Sequence, residues 1–403
     1  MPQLIDFSNK VISRIKYLTM GNFGVTQDEE LVLSFVRKFA EEELKPLAKE
    51  IDEKMEVPRK IIDRMKDLGL FATYIPKEYG GYGMSFPFLV RAIEEISKAC
   101  PSTALVLDGA LTLFAEPLIM FGSEDLKKRY LPRVAAGSVG GLAITEPGAG
   151  SDAAGISATA VKKGDRYVIN GDKIFISNGR ISDFFVLDAV TDPGKRHRGI
   201  TAFVADRDTP GLKISRDIHK MGIRGSSTVE LAFEDMEIPA ENIVGKENEG
   251  FKVIMETLDA GRIGIAAQAL GIAENALAEA IDYVKQRKQF GTEIANFEGI
   301  QFMIAEMATE IEAARYLTYV AAEKWQNKEN TIEISAMAKM KASDVAMRVT
   351  TDALQLFGGY GYTTDLDAER HMRDAKITQI YEGTNQIQRL VIAKEILKKT
   401  RYY

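Results

Sequence analysis

The chain has 403 residues, of which 45% are hydrophobic and 27% charged. This is the composition of an ordinary globular protein, and the length allows two or three domains. The net charge of −6 argues against a nucleic-acid-binding protein but leaves room for local basic patches. The only cysteine, Cys100, excludes a disulfide framework and a cysteine metal site, and it fits a reducing compartment. We also find no apolar run of the about 18 residues expected of a membrane span.

The first residues carry no apolar core of a signal peptide. Basic residues with some helical periodicity would permit a transit peptide, but Asp6 argues against one. We therefore expect residues 1–26 to be a short N-terminal extension. We expect a cytoplasmic protein, with the mitochondrial matrix as the alternative.

The next part of the chain, residues 27–137, has a helical pattern. Apolar residues recur at spacings of three and four in LVLSFVRKFAEEELKPLAKEID and FLVRAIEEISKA, which is typical of amphipathic helices. Ser123 is followed by two acids, as at the start of a helix. The sequence predicts an N-terminal all-α domain.

The pattern changes over residues 138–250. Short runs rich in β-branched and aromatic residues (KIFIS, DFFVLDAV, ITAFVA, VELAFEDMEI) are separated by Gly, Asp, Asn and Pro. Their spacing, roughly eight to twelve residues, favours an antiparallel β domain. The charged segment TDPGKRHRG (191–199) is predicted to be a hairpin tip.

Helical periodicity returns over residues 251–403. We predict four helices, at about 256–287, 299–326, 331–357 and 367–399, with the short connections of an antiparallel four-helix bundle. The predicted fold class is therefore α+β, in the order helical, β, helical.

The segment ITEPGAGSD (144–152) lies at the entrance to the β domain. Gly148 and Gly150 let the backbone approach a flat ligand, and Thr145 and Ser151 offer hydroxyl groups. The segment matches neither the GxGxxG fingerprint nor a P-loop. Taken alone, such a segment is more often a glycine-rich loop that binds no ligand.

Two further segments, taken together with this loop, indicate a protein family. RKQFG (287–291) contains an arginine suited to phosphate, and IYEGTNQIQR (380–389) places Glu382 directly before Gly383. A carboxylate beside a glycine can approach a substrate with little hindrance, while its backbone N–H stays available as a donor. The three segments in this order resemble the acyl-CoA dehydrogenase family, from about residue 27 to the end.

The resemblance implies an FAD-dependent enzyme that forms a trans-2-enoyl-CoA from a short-chain, butyryl-CoA-type substrate. Glu382 would remove the α-proton, and the β-hydrogen would leave as hydride to flavin N5. Some relatives carry their glutamate directly before Arg262, but Gly261 occupies that position here. We expect burial to raise the pKa of Glu382 towards ~6–7. An electron-transferring flavoprotein would accept the electrons.

The resemblance also assigns residues to FAD. Beside the flavin ring it places Leu142, Ile144, Thr145, Gly150, Ser151, Phe175, Ile176 and Ser177. Phe175 stands where Trp is frequent, and Ser177 where Thr is frequent.

Other cofactor-binding residues fall near the C-terminal helices: Arg287, Gln289, Phe290, Phe297, Gln355, Leu356, Gly358, Gly359, Thr384 and Gln386. Some of these would reach the FAD of a neighbouring subunit, which implies a homotetramer built as a dimer of dimers. Alternatively, Arg287 is a cation at a helix C-terminus that Gly291 ends. Glu298 replaces the glutamine usual in the family.

The substrate would contact Ser151, Asp259, Arg262 and Gly383. Arg262 lies on an apolar helix and needs a partner, because an unpaired buried charge is costly. Asp108 is an unusual acid in the helix expected to line the acyl pocket. Such an acid is more often a side chain that faces solvent or forms a salt bridge. The alternative is a second acid or base for a cyclic substrate such as cyclohexane- or cyclohexenecarboxyl-CoA.

Two other hypotheses use the same cofactor. An oxidase would share the site but use oxygen as acceptor, and a non-catalytic FAD-binding homologue would not need Glu382. No metal site is predicted, because His197, His219 and His371 show no ligand spacing.

Overall fold

The computed structural model describes residues 23–399. Its first part is helical, as predicted. Thr26 opens the first helix with a capping box, in which Thr26 and Glu29 each bond the other's backbone N–H. The helices are α1 Gln27–Lys38, α2 Ala48–Lys54, α3 Arg59–Asp67, α4 Phe86–Ala99, α5 Pro101–Asp108, α6 Glu116–Phe121 and α7 Glu124–Ala135.

A π-helical segment, Gly109–Ala115, joins α5 to α6 in one continuous stretch. This stretch, Pro101–Phe121, is long and apolar enough to cross a membrane by length and composition, but 83% of its most apolar window is buried inside the protein. The expectation that no apolar run reaches this length is therefore wrong. The burial is that of a core helix of a globular protein, and it places Asp108 in the interior.

The middle part forms an eight-stranded sheet in the order β6-β7-β3-β2-β4-β5-β8, with β1 beside β4. Most neighbours are antiparallel, as predicted, while β1 and β2 each pair with β4 in parallel. The strands are β1 Gly140–Ala143, β2 Thr159–Lys163, β3 Arg166–Ser177, β4 Phe184–Val190, β5 Ile200–Asp206, β6 Leu212–Asp217, β7 Thr228–Pro239 and β8 Ile243–Val244. The segment 191–199 joins β4 to β5 as a hairpin tip.

The last part consists of α8 Gly250–Gln286, α9 Glu298–Gln326, α10 Ile332–Phe357, α11 Ala368–Thr378 and α12 Asn385–Leu397. A small hairpin, β9 Lys288–Gln289 with β10 Thr292–Glu293, joins α8 to α9. Helix α8 is buried along most of its length and packs against α4 and α10. Close approach to α4 requires Gly271, where a Cβ would collide with the backbone of Glu94.

The prediction of a single helix over residues 367–399 is wrong. Helix α11 ends at Thr378 and α12 begins at Asn385, with Glu382 in the loop between them. Glu382 and Gly383 both have positive φ, 53° and 84°, which ends a right-handed helix. Thr384 then caps α12 by accepting a hydrogen bond from the N–H of Ile387.

Candidate active site

Glu382 occupies the α11–α12 loop as a half-buried residue. Its Oε2 atom is fully buried and has no hydrogen-bond partner within residues 23–399. Burial raises the pKa of Glu382 to about 7, against the opposing effects of the Arg262 and Lys339 charges. A carboxylate with an open oxygen and such a pKa is suited to accept a proton near neutral pH.

The backbone around Glu382 is held firmly. The side-chain amide of Gln388 donates to the carbonyl oxygens of Glu382 and Gly383, at 3.0 and 2.9 Å. The ammonium group of Lys339 donates to Gly383 O at 2.8 Å and to Asn385 Oδ1 at 2.9 Å. The N–H of Glu382 has no acceptor in the described part of the chain. It is therefore available to an oxygen of a ligand.

Helix α8 presents glycines to two carboxylates. A Cβ at Gly261 would lie 2.7 Å from Oε2 of Glu382, and a Cβ at Gly264 would collide with Oδ1 of Asp108. These glycines are one turn apart on the helix. The carboxyl groups of Glu382 and Asp108 therefore rest on consecutive turns of the same helix.

Asp108 is buried, with only 1% of its surface exposed. Thr112 donates to its Oδ1 at 2.7 Å, and its Oδ2 has no partner within residues 23–399. Burial raises the pKa of Asp108 to about 8, and the negative charge of Glu382 adds to this rise. The interpretation of Asp108 as a solvent-facing or salt-bridged acid is therefore wrong, because the helix that carries it is buried.

Tyr381 and Gln268 were not singled out from the sequence. Tyr381 donates its hydroxyl to Gln268 Oε1, and Gln268 donates in turn to the carbonyl of Pro101, at 2.9 Å. Tyr381 also packs against Leu105 and Ile265. Burial, with Asp108 and Glu382 nearby, raises the pKa of Tyr381 well above its usual range. The sequence signal was a lone glutamine in the apolar segment RIGIAAQALGIA.

Asp259 is the partner that Arg262 needs. The Arg262 Nη1 atom lies 2.5 Å from Asp259 Oδ1, which also accepts from Ser335 at 3.1 Å. Both members of the pair are buried. The Asp259 carboxylate is thus engaged inside the protein, and its contact with a substrate stays a prediction.

A buried lysine fixes the ITEPGAGSD loop, which follows Leu142 on β1. Lys173 donates to the carbonyl of Ile144 at 2.9 Å, to Glu146 Oε1 at 3.0 Å and to Asp188 Oδ1 at 2.6 Å. The N–H of Ile174 donates to the carbonyl of Thr145 at 2.8 Å.

The outer side of this loop is open. A Cβ at Gly148 or Gly150 would meet no atom of residues 23–399 within 4 Å, and Ser151 is exposed. The loop therefore offers a rigid edge with space for a flat molecule.

Strand β3 is bulged where it passes this loop. Its pairing with β7 shifts register between Lys173 and Ile176, and Phe175 takes a positive φ of 61° with 60% of its surface exposed. A bulge re-aims side chains, and here it exposes an aromatic ring. The side chain of Ile176 lies in the β-domain core, so its predicted contact with the flavin could be made only through its backbone and stays a prediction.

A second group of predicted cofactor residues gathers around β9, β10 and the end of α10. The guanidinium carbon of Arg287 lies 5.9 Å from the ring centre of Tyr360. Phe290, 95% exposed, packs edge-on against Phe297. Gln289, Gln355, Gly358 and Gly359 are also exposed, whereas the Leu356 side chain is buried. This surface presents a cation, aromatic rings and open glycine backbone.

Thr384 and Gln386 lie elsewhere, in an open cleft formed by α10, α11, α12 and the Glu382 loop. The cleft is lined by Asp344, Lys376, Gln379, Ile380, Thr384, Asn385, Gln386 and Arg389.

These features fit a flavin nucleotide. The open glycines and the Phe175 ring suit an isoalloxazine. Glu382 supplies a buried oxygen without a partner in residues 23–399, as a base for flavin chemistry requires. The fold and site therefore define a flavin-dependent oxidoreductase.

The domain models of one family match three parts of the chain. The N-terminal, middle and C-terminal domains of acyl-CoA dehydrogenases match residues 26–138, 141–236 and 248–397. The chain belongs to the acyl-CoA dehydrogenase family, whose members are enzymes that use FAD.

Two relatives align over almost their whole length. The short-chain-specific acyl-CoA dehydrogenase of Clostridium acetobutylicum is 48% identical over 94% of this chain and 100% of its own. The cyclohex-1-ene-1-carbonyl-CoA dehydrogenase of Geobacter metallireducens is 48% identical over 93% of this chain and 99% of its own.

Solved structures agree with the fold. Butyryl-CoA dehydrogenase of Megasphaera elsdenii superimposes with a TM-score of 0.91 at 45% identity, over 93% of this chain and 99% of that chain. A chain from a structural study of the electron-transferring flavoprotein of Acidaminococcus fermentans gives 0.92 at 50% identity, over 94% and 100%. The predicted order of helical, β and helical parts is confirmed.

Proposed function

We propose that this protein dehydrogenates a short-chain acyl-CoA to its trans-2-enoyl-CoA, with Glu382 as the general base. The observation that carries the proposal is the Glu382 carboxylate, whose buried Oε2 has no partner in the described residues 23–399 and whose pKa is raised to about 7. The short-chain relatives in Clostridium acetobutylicum and Megasphaera elsdenii support the substrate class.

The chemical difficulty is the weak acidity of the α-C–H next to a thioester. The backbone N–H of Glu382, which has no acceptor among residues 23–399, would donate to the thioester oxygen as negative charge develops there. Such donors stabilise an oxyanion most in a site that excludes water. Glu382 would then take the α-proton at Oε2. FAD, when bound, supplies the acceptor for the β-hydride at its N5 atom.

Three parts of the chain would prepare this step. Lys173 holds the loop that carries Thr145 and Ser151, Phe175 offers its ring to the flavin, and Gly261 leaves room for the base. We propose that Arg287, Phe290, Gly358 and Gly359 bind the FAD of a second subunit, and that the protein is a homotetramer.

An electron-transferring flavoprotein is the proposed electron acceptor, as the resemblance implies. The close relative studied with the electron-transferring flavoprotein of Acidaminococcus fermentans supports this partner. Rapid peroxide formation in air, without a flavoprotein partner, would instead identify an oxidase.

An anaerobic spectral titration tests the proposal. Butyryl-CoA is expected to bleach the flavin absorption of the purified holoenzyme, and Glu382→Gln is expected to abolish the bleaching. Cyclohexanecarboxyl-CoA is added in parallel. Unchanged bleaching in Glu382→Gln would show that Glu382 is not the general base. A protein purified without flavin would overturn the proposal.

Asp108 favours a second candidate function, the dehydrogenation of a cyclic acyl-CoA. It offers a buried carboxyl whose Oδ2 has no partner within residues 23–399, and this carboxyl faces the turn of α8 next to the one that Glu382 faces. The relative in Geobacter metallireducens is named for a cyclic acyl-CoA. This candidate would be favoured if only the cyclic substrate bleached the flavin absorption and if Asp108→Ala abolished that bleaching. Unchanged turnover in Asp108→Ala would exclude a catalytic role for Asp108.

A further inference from the structure

Lys339 lies on α10 with none of its surface exposed to solvent. A lysine is almost never fully buried unless it is paired, yet no carboxylate of residues 23–399 lies within ion-pair distance of its Nζ atom. Its hydrogen bonds instead go to the neutral oxygens of Gly383 and Asn385. Its position therefore needs a reason other than a salt bridge.

These two oxygens belong to the short segment that leads from Glu382 into α12. Gly383 follows Glu382 directly, and Asn385 is the first residue of α12. Asn385 is itself fixed, since its amide donates to Ser343 Oγ at 2.9 Å and to Asp344 Oδ1 at 2.8 Å. Lys339 thus ties the strained Glu382–Gly383 backbone to α10.

Charged groups face Lys339 from each neighbouring element. Glu382 lies in the α11–α12 loop, Arg262 on α8, and Asp344 on α10 itself. Burial lowers the pKa of Lys339 to about 7, while Glu382 acts in the opposite direction. Around Glu382 the groups are Arg262, Lys339 and the buried Asp108.

We propose that Lys339 is a positioning residue for Glu382: its ammonium group fixes the backbone that carries the Glu382 N–H and stabilises the charged form of the Glu382 carboxylate. The proposal rests on the role of Glu382 proposed above. When Glu382 takes the substrate α-proton, its negative charge disappears, and the ammonium of Lys339 loses the carboxylate that most favours its charged form. The protonated base therefore makes Lys339 easier to deprotonate, which couples the two groups.

The test compares Lys339→Met, which removes charge and hydrogen bonds, with Lys339→Gln, which keeps an amide donor. The control is Lys341→Met on the same helix, because Lys341 pairs with Glu310 at the surface. The first readout is the infrared carboxyl band that disappears in Glu382→Gln, titrated against pH. The second is the pH profile of anaerobic flavin reduction by butyryl-CoA.

In Lys339→Met the band should titrate about one pH unit higher, because the carboxylate loses a stabilising cation. Flavin reduction at pH 7 should fall about tenfold or more. Lys339→Gln should recover part of the rate but keep the raised midpoint, and Lys341→Met should behave as wild type.

Wild-type midpoints and rates in both Lys339 variants would overturn the proposal. If Lys339→Met does not fold, Lys339→Gln carries the test. If Glu382→Gln still reduces flavin, the proposed role of Glu382 fails, whereas the infrared midpoint continues to report on Lys339. The two failures are therefore distinguishable.

Discussion

A single residue on α8, Gly261, limits where the carboxylate of Glu382, the proposed base, can lie. Gly261 faces Oε2 of Glu382 so closely that a Cβ there would lie 2.7 Å away, well inside contact distance. The loop around Glu382 is held on its other side by Gln388 and Lys339. The carboxylate therefore has little freedom to move away from an added side chain.

We accordingly expect Gly261→Ala to displace Glu382 and to lower the rate of flavin reduction by butyryl-CoA about tenfold or more, since small misplacements of a catalytic group are costly. Gly299→Ala on α9 is a matched control, because a Cβ there meets nothing within 4 Å. Stopped-flow bleaching of both variants measures the effect. Equal rates in the two would contradict the assignment.

The raised pKa of Asp108 has a defined effect on stability. Burial favours the protonated form of Asp108 in the folded protein, where its pKa is about 8, whereas an unfolded aspartate titrates near ~3.9. The folded state thus binds the proton more tightly. This contribution to stability is complete below about pH 4 and is lost as pH rises through about 8.

Asp108→Asn removes this titration. We expect the variant to gain stability relative to wild type as pH is raised from 5 to 8, in thermal melts of the FAD-loaded protein. The parallel control is Asp172→Asn in strand β3, distant in sequence and outside the buried set. A difference between Asp108→Asn and wild type that does not change with pH would mean that Asp108 is not buried as a neutral acid.

At the level of secondary structure elements, strand β3 connects the core of the sheet with the proposed flavin site. Its Lys173 points inward to Glu146 and Asp188, and the bulge beyond it turns Phe175 outward. At its end, Asn178 donates to the carbonyl of Leu105 on α5 at 2.9 Å. Strand β3 thus connects the ITEPGAGSD loop with α5, the helix that carries Asp108.

Lys173→Met should leave Glu146 and Asp188 as uncompensated buried carboxylates. Removing one partner of a buried pair typically costs about 3–5 kcal/mol, so we expect a large fall in the free energy of unfolding and weaker FAD binding. Lys162→Met on exposed β2 is the control. Denaturant unfolding and equilibrium dialysis of FAD give the two measurements. If the variant keeps wild-type FAD affinity, Lys173 does not fix the conformation of the ITEPGAGSD loop that FAD binding needs.

In the molecule as a whole, most of the predicted cofactor residues fall into two separate sets, whereas Thr384 and Gln386 lie in the cleft between α10, α11 and α12. One set lies around the β1 loop and β3, and the other around the β9–β10 hairpin and the end of α10. Phe290 and Tyr362 in the second region are 95% and 88% exposed. Large exposed aromatic side chains are typical of surfaces that a ligand or a second subunit covers.

If the second set binds the FAD of another subunit, Arg287→Ala should weaken FAD retention, and FAD loss should increase as the protein is diluted. Arg166→Ala, at the exposed first residue of β3, is the control. Sedimentation velocity and flavin fluorescence over a dilution series measure both properties. FAD binding that is independent of protein concentration would place both half-sites in one chain.

Much of the fold and the site could be predicted because their signals are local. Hydrophobic periods mark helices and strands, and the segments ITEPGAGSD, RKQFG and IYEGTNQIQR identify the family through short fixed spacings. The break between α11 and α12 was missed, since apolar residues continue in phase on both sides of Glu382. Positive φ at Glu382 depends on Gln388 and Lys339, which bond the loop from other helices.

What the order of residues settles here is the family, the element types and the identity of the proposed base, because each depends on neighbours along the chain. Only the tertiary structure shows that buried Asp108 and Glu382 face neighbouring turns of α8, that Lys339 carries no salt bridge among residues 23–399, and that Ile176 points inward. Burial and electrostatic coupling are properties of groups that distant segments bring together. A linear pattern does not contain those distances.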